Sequence, residues 1–182
     1  MNFLAISGSL RTGSTNTALL RTMVTLAPKD VTVTLYETLD DLPHFSPEQD
    51  KEAVPEAVIK LRALLNTADA AIICTPEYIH GMPGVLKNML DWMASSGDFV
   101  HKPVGVISAG PSDLGGSRAH ASLAYTLGIL MARLPENASL IVPFIKSRLA
   151  PNGDLIDPLL KQELQTVLTA LVEAVEHKNQ TL

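Results

Sequence analysis

The chain is poor in cysteine. Cys74 is the only one in 182 residues, so no disulfide can close within the chain, which suits a reducing compartment. Long hydrophobic runs are missing too: none reaches the roughly 20 apolar residues of a membrane span. The opening Met1-Asn2-Phe3-Leu4-Ala5-Ile6-Ser7 has neither the basic lead nor the length of a secretory signal. Asn137-Ala138-Ser139 therefore reads as a chance match to the glycosylation pattern. Together these absences lead us to expect a cytoplasmic protein with no membrane partner. No Lys/Arg cluster stands out and the formal net charge is −5, so nucleic acid is not an expected partner. The five histidines form no H-x-x-H or H-E-x-x-H pair, so no metal site is expected. Gly110-Pro111-Ser112-Asp113-Leu114 lacks the final glycine of the G-x-S-x-G elbow, which sets serine-hydrolase chemistry aside.

Apolar residues are plentiful. At 46% hydrophobic and 18% charged, the chain reads as globular, with residues 1–182 expected to form one domain. Short apolar runs alternate with segments of helical period. Strands are expected at Phe3–Ile6, Val31–Tyr36, Ala70–Cys74, Val104–Ser108 and Ser139–Val142. Helices are expected over Ser14–Leu26, from Pro55 to about Asn66, from Pro83-Gly84 onward, over Ser117–Arg133 and over Pro158–Glu176. Leu39–Ala53, with Pro43 and Pro47, reads as loop. Five strands alternating with helices imply an α/β fold, a doubly wound five-stranded parallel sheet with helices on both faces. In such sheets ligands sit outside the carboxyl ends of the strands. The loops beginning at Ser7, Thr75 and Ser108 therefore carry the function.

The first of these reads Ser-Gly-Ser-Leu-Arg-Thr-Gly-Ser-Thr-Asn-Thr over residues 7–17 and runs into a helix. Free amides and the helix dipole attract an anion there. Ser9, Ser14, Thr15 and Thr17 add hydroxyls, Arg11 a charge-assisted contact, and Asn16 either a donor or a brace for the loop. Gly8 and Gly13 have P-loop spacing, but Ser14 stands where that motif requires Lys. The dinucleotide fingerprint fails because Ser9–Thr12 holds no second glycine. Glu37 also lies further on than the roughly 20 residues usual for a ribose-binding acid. A single mononucleotide phosphate fits what remains, and helix capping by Ser14 or Thr15 is the bland alternative.

The second loop, Thr75-Pro-Glu-Tyr-Ile-His-Gly-Met-Pro-Gly-Val-Leu-Lys-Asn-Met-Leu-Asp-Trp92, closely resembles the signature of the NADPH-dependent FMN reductase family. That family includes flavodoxin-like quinone, azo-dye and chromate reductases. Its pattern T-P-E-Y-N-x-x-x-P-G-x-L-K-N-x-x-D-W is matched at Thr75, Pro76, Glu77, Tyr78, Pro83, Gly84, Leu86, Lys87, Asn88, Asp91 and Trp92. Gly8, Ser9, Leu10, Arg11, Ser14 and Asn16 resemble the family's G-S-L-R-x-x-S-x-N, and Gly110, Gly115, Gly116 and Arg118 match a third loop more loosely.

The resemblance implies a flavodoxin-like fold and an enzyme in which FMN carries the chemistry. NAD(P)H would be the donor, and a quinone, azo compound, metal ion or free flavin the acceptor. Ser9, Arg11, Ser14, Thr15 and Asn16 would hold the FMN phosphate. Pro76, Glu77 and Tyr78, with the backbone of Ile79, His80 and Gly81, would flank the ring. The loop from Ser108 through Gly110 would wall the other side. No side chain is expected to act as nucleophile, and a homodimer or homotetramer is expected at the family level. Ile79 departs from the usual Asn, and His80 adds a titratable group beside the ring space. An FMN-binding electron carrier serving a protein partner and a non-catalytic flavin-binding module remain alternatives.

Overall fold

The computed structural model describes residues 1–180. The expected domain runs to Leu182, and its last two residues, Thr181 and Leu182, lie outside the described residues. Five strands form one parallel sheet: β1 (Asn2–Ser7), β2 (Thr32–Tyr36), β3 (Ala70–Thr75), β4 (Val104–Ala109) and β5 (Ser139–Val142). Their order is β2-β1-β3-β4-β5, which puts the topological switch point between β1 and β3. The register sets Ser7 opposite Cys74 and Thr75 opposite Ser108. The carboxyl ends of β1, β3 and β4 thus finish level at one edge.

Alternation along β1 sorts the core. Phe3 and Ala5 face one layer, with α1 (Thr15–Leu26) and α6 (Pro158–Gln180), where Leu19, Leu20, Met23, Leu164 and Leu168 pack. Leu4 and Ile6 face the other layer. There α3 (Glu56–Thr67), α4 (Gly84–Met93) and α5 (Ser117–Ile129) contribute Leu61, Leu65, Met89, Trp92 and Leu123. Both faces of β3 are covered, and every residue in it is buried, as a central parallel strand requires.

Three sequence expectations need correction. The segment expected as loop over Leu39–Ala53 contains a helix, α2 (Pro47–Glu52). Ser46 caps it by accepting from the amide of Gln49, and Pro47 occupies its first turn. The helix expected to reach Arg133 ends at Ile129. Beyond it the backbone turns through Met131 at φ 61° so that Arg133 bonds across to Lys102 and Val104. The last helix continues past the expected Glu176 to Gln180. Among the described residues no helix is long and apolar enough to cross a membrane.

The signature in α4 has a packing role. Asn88 accepts from the amide of Phe45 and donates to the carbonyl of Pro43, and the Trp92 indole donates to the same carbonyl at 2.8 Å. Phe45 meets Trp92 edge-on at 5.1 Å. Lys87 and Asp91 form the i,i+4 pair on the exposed side of α4, at 2.6 Å.

Candidate functional site

The level ends of β1, β3 and β4 open onto a cavity of about 440 Å³, within the usual range for small-molecule sites. Ser9, Arg11, Gly13, Ser14, Thr15 and Asn16 line it from the first loop. Pro76, Glu77 and Tyr78 line it from the second, and Ala109, Gly110, Pro111, Ser112 and Gly116 from the third. Ile145 and Lys146 complete it from the turn after β5.

The first loop owes its shape to short polar ties. Ser14 caps α1 by accepting from the amide of Thr17, and its own amide bonds to the carbonyl of Arg11. The hydroxyls of Ser7 and Thr17 meet at 2.7 Å beneath the loop. The amides of Thr15 and Asn16, in the first turn of α1, have no intrahelical acceptor. The guanidinium of Arg11 is exposed and has no carboxylate partner among the described residues. One segment thus does two things: Ser14 spends its hydroxyl on the helix, while free amides and Arg11 face the cavity side.

Asn16 is a brace. Its amide nitrogen donates to the carbonyl of Ala109 at 3.4 Å, and its oxygen accepts the Cys74 thiol at 3.3 Å. It ties the first loop to β3 and β4 at once. Burial pushes the Cys74 thiol well above the ordinary thiol range, so thiolate chemistry is suppressed. Native protein is expected to leave Cys74 unmodified by Ellman's reagent, with one thiol appearing on denaturation. Rapid labelling without unfolding would contradict this burial.

Glu77 has a structural role in the second loop. Gly116 precedes α5 and has no side chain to cap it. Glu77 caps it instead from another loop, accepting from the amides of Arg118 at 3.0 Å and Ala119 at 3.1 Å. Its second oxygen lies 3.3 Å from Nδ1 of His80. Burial alone would raise the Glu77 pKa. The hydrogen bonds from Ala119, His80 and Arg118 outweigh it and hold the carboxyl below its ordinary value.

Ile79, His80 and Gly81 do not line the cavity; they form the turn just beyond Tyr78. Ser108 also lies off the lining. It is buried at the end of β4, and its hydroxyl has no hydrogen-bond partner among the described residues. Sequence reasoning missed Ile145 and Lys146. They reach the site because the amide of Ile145 bonds to the carbonyl of Gly110, and that of Phe144 to Ser112. Glu37, weighed as a ribose acid, is engaged with Arg21 at 2.7 Å. His120 is buried on α5 with Nε2 2.8 Å from the Ser139 hydroxyl, away from the cavity lining.

A 2-1-3-4-5 parallel sheet with a cavity at its switch point defines a flavodoxin-like protein. Comparison with known proteins makes this specific: the NADPH-dependent FMN reductase model matches residues 1–146, and the chain belongs to that family. It is 40% identical over 144 residues to the NADH:(hydroxy)cinnamate reductase subunit CrdA of Vibrio ruber, covering 79% of this chain and 68% of that protein. It is 33% identical over 135 residues to the quinone reductase of Escherichia coli, covering 72% of each. Among solved structures it superposes on FerB, a flavoenzyme NAD(P)H:(acceptor) oxidoreductase from Paracoccus denitrificans. The TM-score there is 0.86, with 27% identity and 97% of each chain covered. The protein is thus an FMN-dependent oxidoreductase that draws electrons from NAD(P)H.

Proposed function

We propose that residues 1–182 act as one FMN-binding domain whose cavity holds the cofactor by its phosphate in the first loop. The observation that carries this is the pairing of the Arg11 guanidinium, without a carboxylate partner among the described residues, with the amide-rich start of α1, at the switch point, in a cavity of about 440 Å³. The residues fit the group. Arg11 and the amides of Thr15 and Asn16 suit a dianionic phosphate. Pro76 and Tyr78 offer flat apolar surface to a ring. Ser9 completes the phosphate loop, and Gly110 and Ser112 wall the opposite side.

Bound FMN would supply hydride acceptance and electron release. The chain's own work is to bind, orient and shield. Glu77 fixes the second loop against α5, and Asn16 fixes the first loop to β3 and β4. No side chain in the cavity is needed as a nucleophile. The acceptor is a small molecule such as a quinone, azo compound, metal ion or free flavin. The reading is of a cytoplasmic enzyme, supported by a single reduced, buried cysteine, working as a homodimer or homotetramer.

Titrating apoprotein with FMN and with riboflavin tests the phosphate cradle, and NADPH oxidation with menadione tests the activity. FMN is expected to bind far more tightly than riboflavin; equal affinities would refute the cradle. Arg11→Ala is expected to weaken FMN binding by about 1.5–3 kcal/mol, the worth of a hydrogen bond to a charged group, while riboflavin binding stays put. Unchanged FMN affinity would place Arg11 outside the site.

A further inference from the structure

The cavity at the ends of β1, β3 and β4 has two unlike halves, and the division follows the two faces of the sheet. The first loop leads into α1, which packs on the face that holds Leu19 and Leu20. The second and third loops lead into α4 and α5, which pack on the other face. Ile145 belongs to the first face: it is buried in the same cluster as Leu19 and Leu20. Lys146, the next residue, lines the cavity. It thus enters from the side of α1, although the chain reaches it only after β5.

Charge is divided in the same way. Both α1 and α5 begin at the cavity, where Ser14 and Gly116 line it. Each helix start carries a positive end equivalent to roughly half an elementary charge. At α5 the Glu77 carboxylate accepts from the amides of Arg118 and Ala119 and offsets that charge. At α1 the cap is the neutral Ser14 hydroxyl, so the positive end is left uncompensated. Arg11 and Lys146, the two cationic side chains among the lining residues, add to it.

Lys146 is held at this wall, yet the chain makes no use of its charge. The amides of Phe144 and Ile145 donate to Ser112 and Gly110, both at 3.1 Å, and fix the turn to the third loop. Arg148, two residues on, is paired with Asp157 at 3.4 Å and with Glu163 at 3.5 Å. Lys146 has no carboxylate partner among the described residues. Two cations and an open helix start at one end of a cavity repel one another until an anion enters. A phosphate monoester carries roughly −1.5 to −2 charges at neutral pH. Arg11 supplies one positive charge and the start of α1 about half of one. Lys146 covers the remainder.

We infer that Lys146 is a second cationic ligand of the cofactor phosphate, contributed by the turn after β5. This rests on the proposed FMN-binding cavity. A compact charge on a flexible stem suits a contact made from the wall facing a preformed loop.

The test uses apoprotein of the parent, Lys146→Gln and Lys146→Arg. Each is titrated with FMN and with riboflavin, its Tm is measured, and KM for NADPH and for NADH is read at saturating FMN with menadione as acceptor. Lys146→Gln is expected to bind FMN about tenfold more weakly, the low end for a hydrogen bond to a charged group. Its riboflavin affinity and both KM values should stay within twofold of the parent. Lys146→Arg keeps the charge and should hold FMN within about threefold of the parent. The apoprotein Tm of Lys146→Gln should not fall, because in the empty cavity Lys146 meets only like charge. FMN affinity within twofold of the parent overturns the inference, and a rise in KM for NADPH alone then assigns Lys146 to the donor. Equal losses for FMN and riboflavin, or a lower Tm, overturn it in favour of a residue that shapes the turn. A parent protein that binds FMN no better than riboflavin refutes the phosphate cradle and the inference together.

Discussion

Gly115→Ala is expected to destabilise the protein by roughly 2–5 kcal/mol and to lower its FMN affinity. Gly115 holds φ +56°, and a Cβ there would stand 2.8 Å from Ile141 Cγ2, 2.8 Å from Pro143 N and 2.9 Å from Val142 C. Two of those atoms are backbone of β5 and its end, so no side chain can swing aside. Left-handed strain contributes roughly 1–2 kcal/mol, and overpacking against a fixed backbone adds about 1–3 kcal/mol. The loop must then lift from β5, and it carries Gly110, Pro111 and Ser112 of the cavity wall with it. Gly13→Ala is the control. Gly13 holds φ +69° but a Cβ there meets nothing within 4 Å, so only the strain is incurred. Urea unfolding of both variants separates the two effects. Equal losses for Gly115→Ala and Gly13→Ala would show that close approach to β5 contributes nothing.

The contrast between those glycines shows where the sequence is informative. The first loop is legible because its signal is local: hydroxyls, Arg11 and two glycines stand between a strand and a helix, and the helix N-terminus supplies the rest. The strand pattern is legible for the same reason, since burial on both faces of β3 and β4 writes itself as runs such as Ala70–Cys74 and Val104–Ile107 with no charged residue. Ile145 and Lys146 gave no such signal. Their place at the cavity comes from backbone bonds to Gly110 and Ser112, more than 30 residues earlier in the chain. The switch-point rule, applied to the loop after β5 as well, would have drawn attention to them. Ser46 before Pro47 signals the helix at Pro47–Glu52, but the two prolines of that segment equally suit a loop. The early end of α5 was not legible. Pairing of Arg133 with Lys102 and Val104 overrides helical propensity that continues past Ile129. Ile79 shows the converse: the sequence marks it as a departure from the family pattern, and only the backbone shows that its place is strained.

Glu77→Ala is expected to cost roughly 2–4 kcal/mol of stability, and Glu77→Gln about half as much. The carboxylate serves two amides in the first turn of α5, where Gly116 provides no cap. Removing it leaves the part-buried amide of Ala119 without its acceptor, at roughly 1–3 kcal/mol, costs less at the exposed amide of Arg118, which water can reach, and takes a negative charge from the positive end of a helix. The Glu77 side chain is only 17% exposed, so water replaces the bond to Ala119 poorly. Gln keeps an acceptor and the shape but loses the charge. The pH dependence separates a charged cap from a neutral one. The folded-state pKa of Glu77 is lowered from 4.5. Its contribution is therefore fully present above that value and is lost as pH falls through the folded-state pKa. The stability gap between parent and Glu77→Gln should be widest near pH 7 and should shrink as the pH drops from about 5 toward 3. Urea unfolding of the two apoproteins at pH 7, 5 and 4 measures the gap without any cofactor bound. A gap that stays constant across that range would mean that Glu77 holds α5 by shape alone. A gap that closes in acid would show that an ionised carboxylate locks the cavity's second loop to its third.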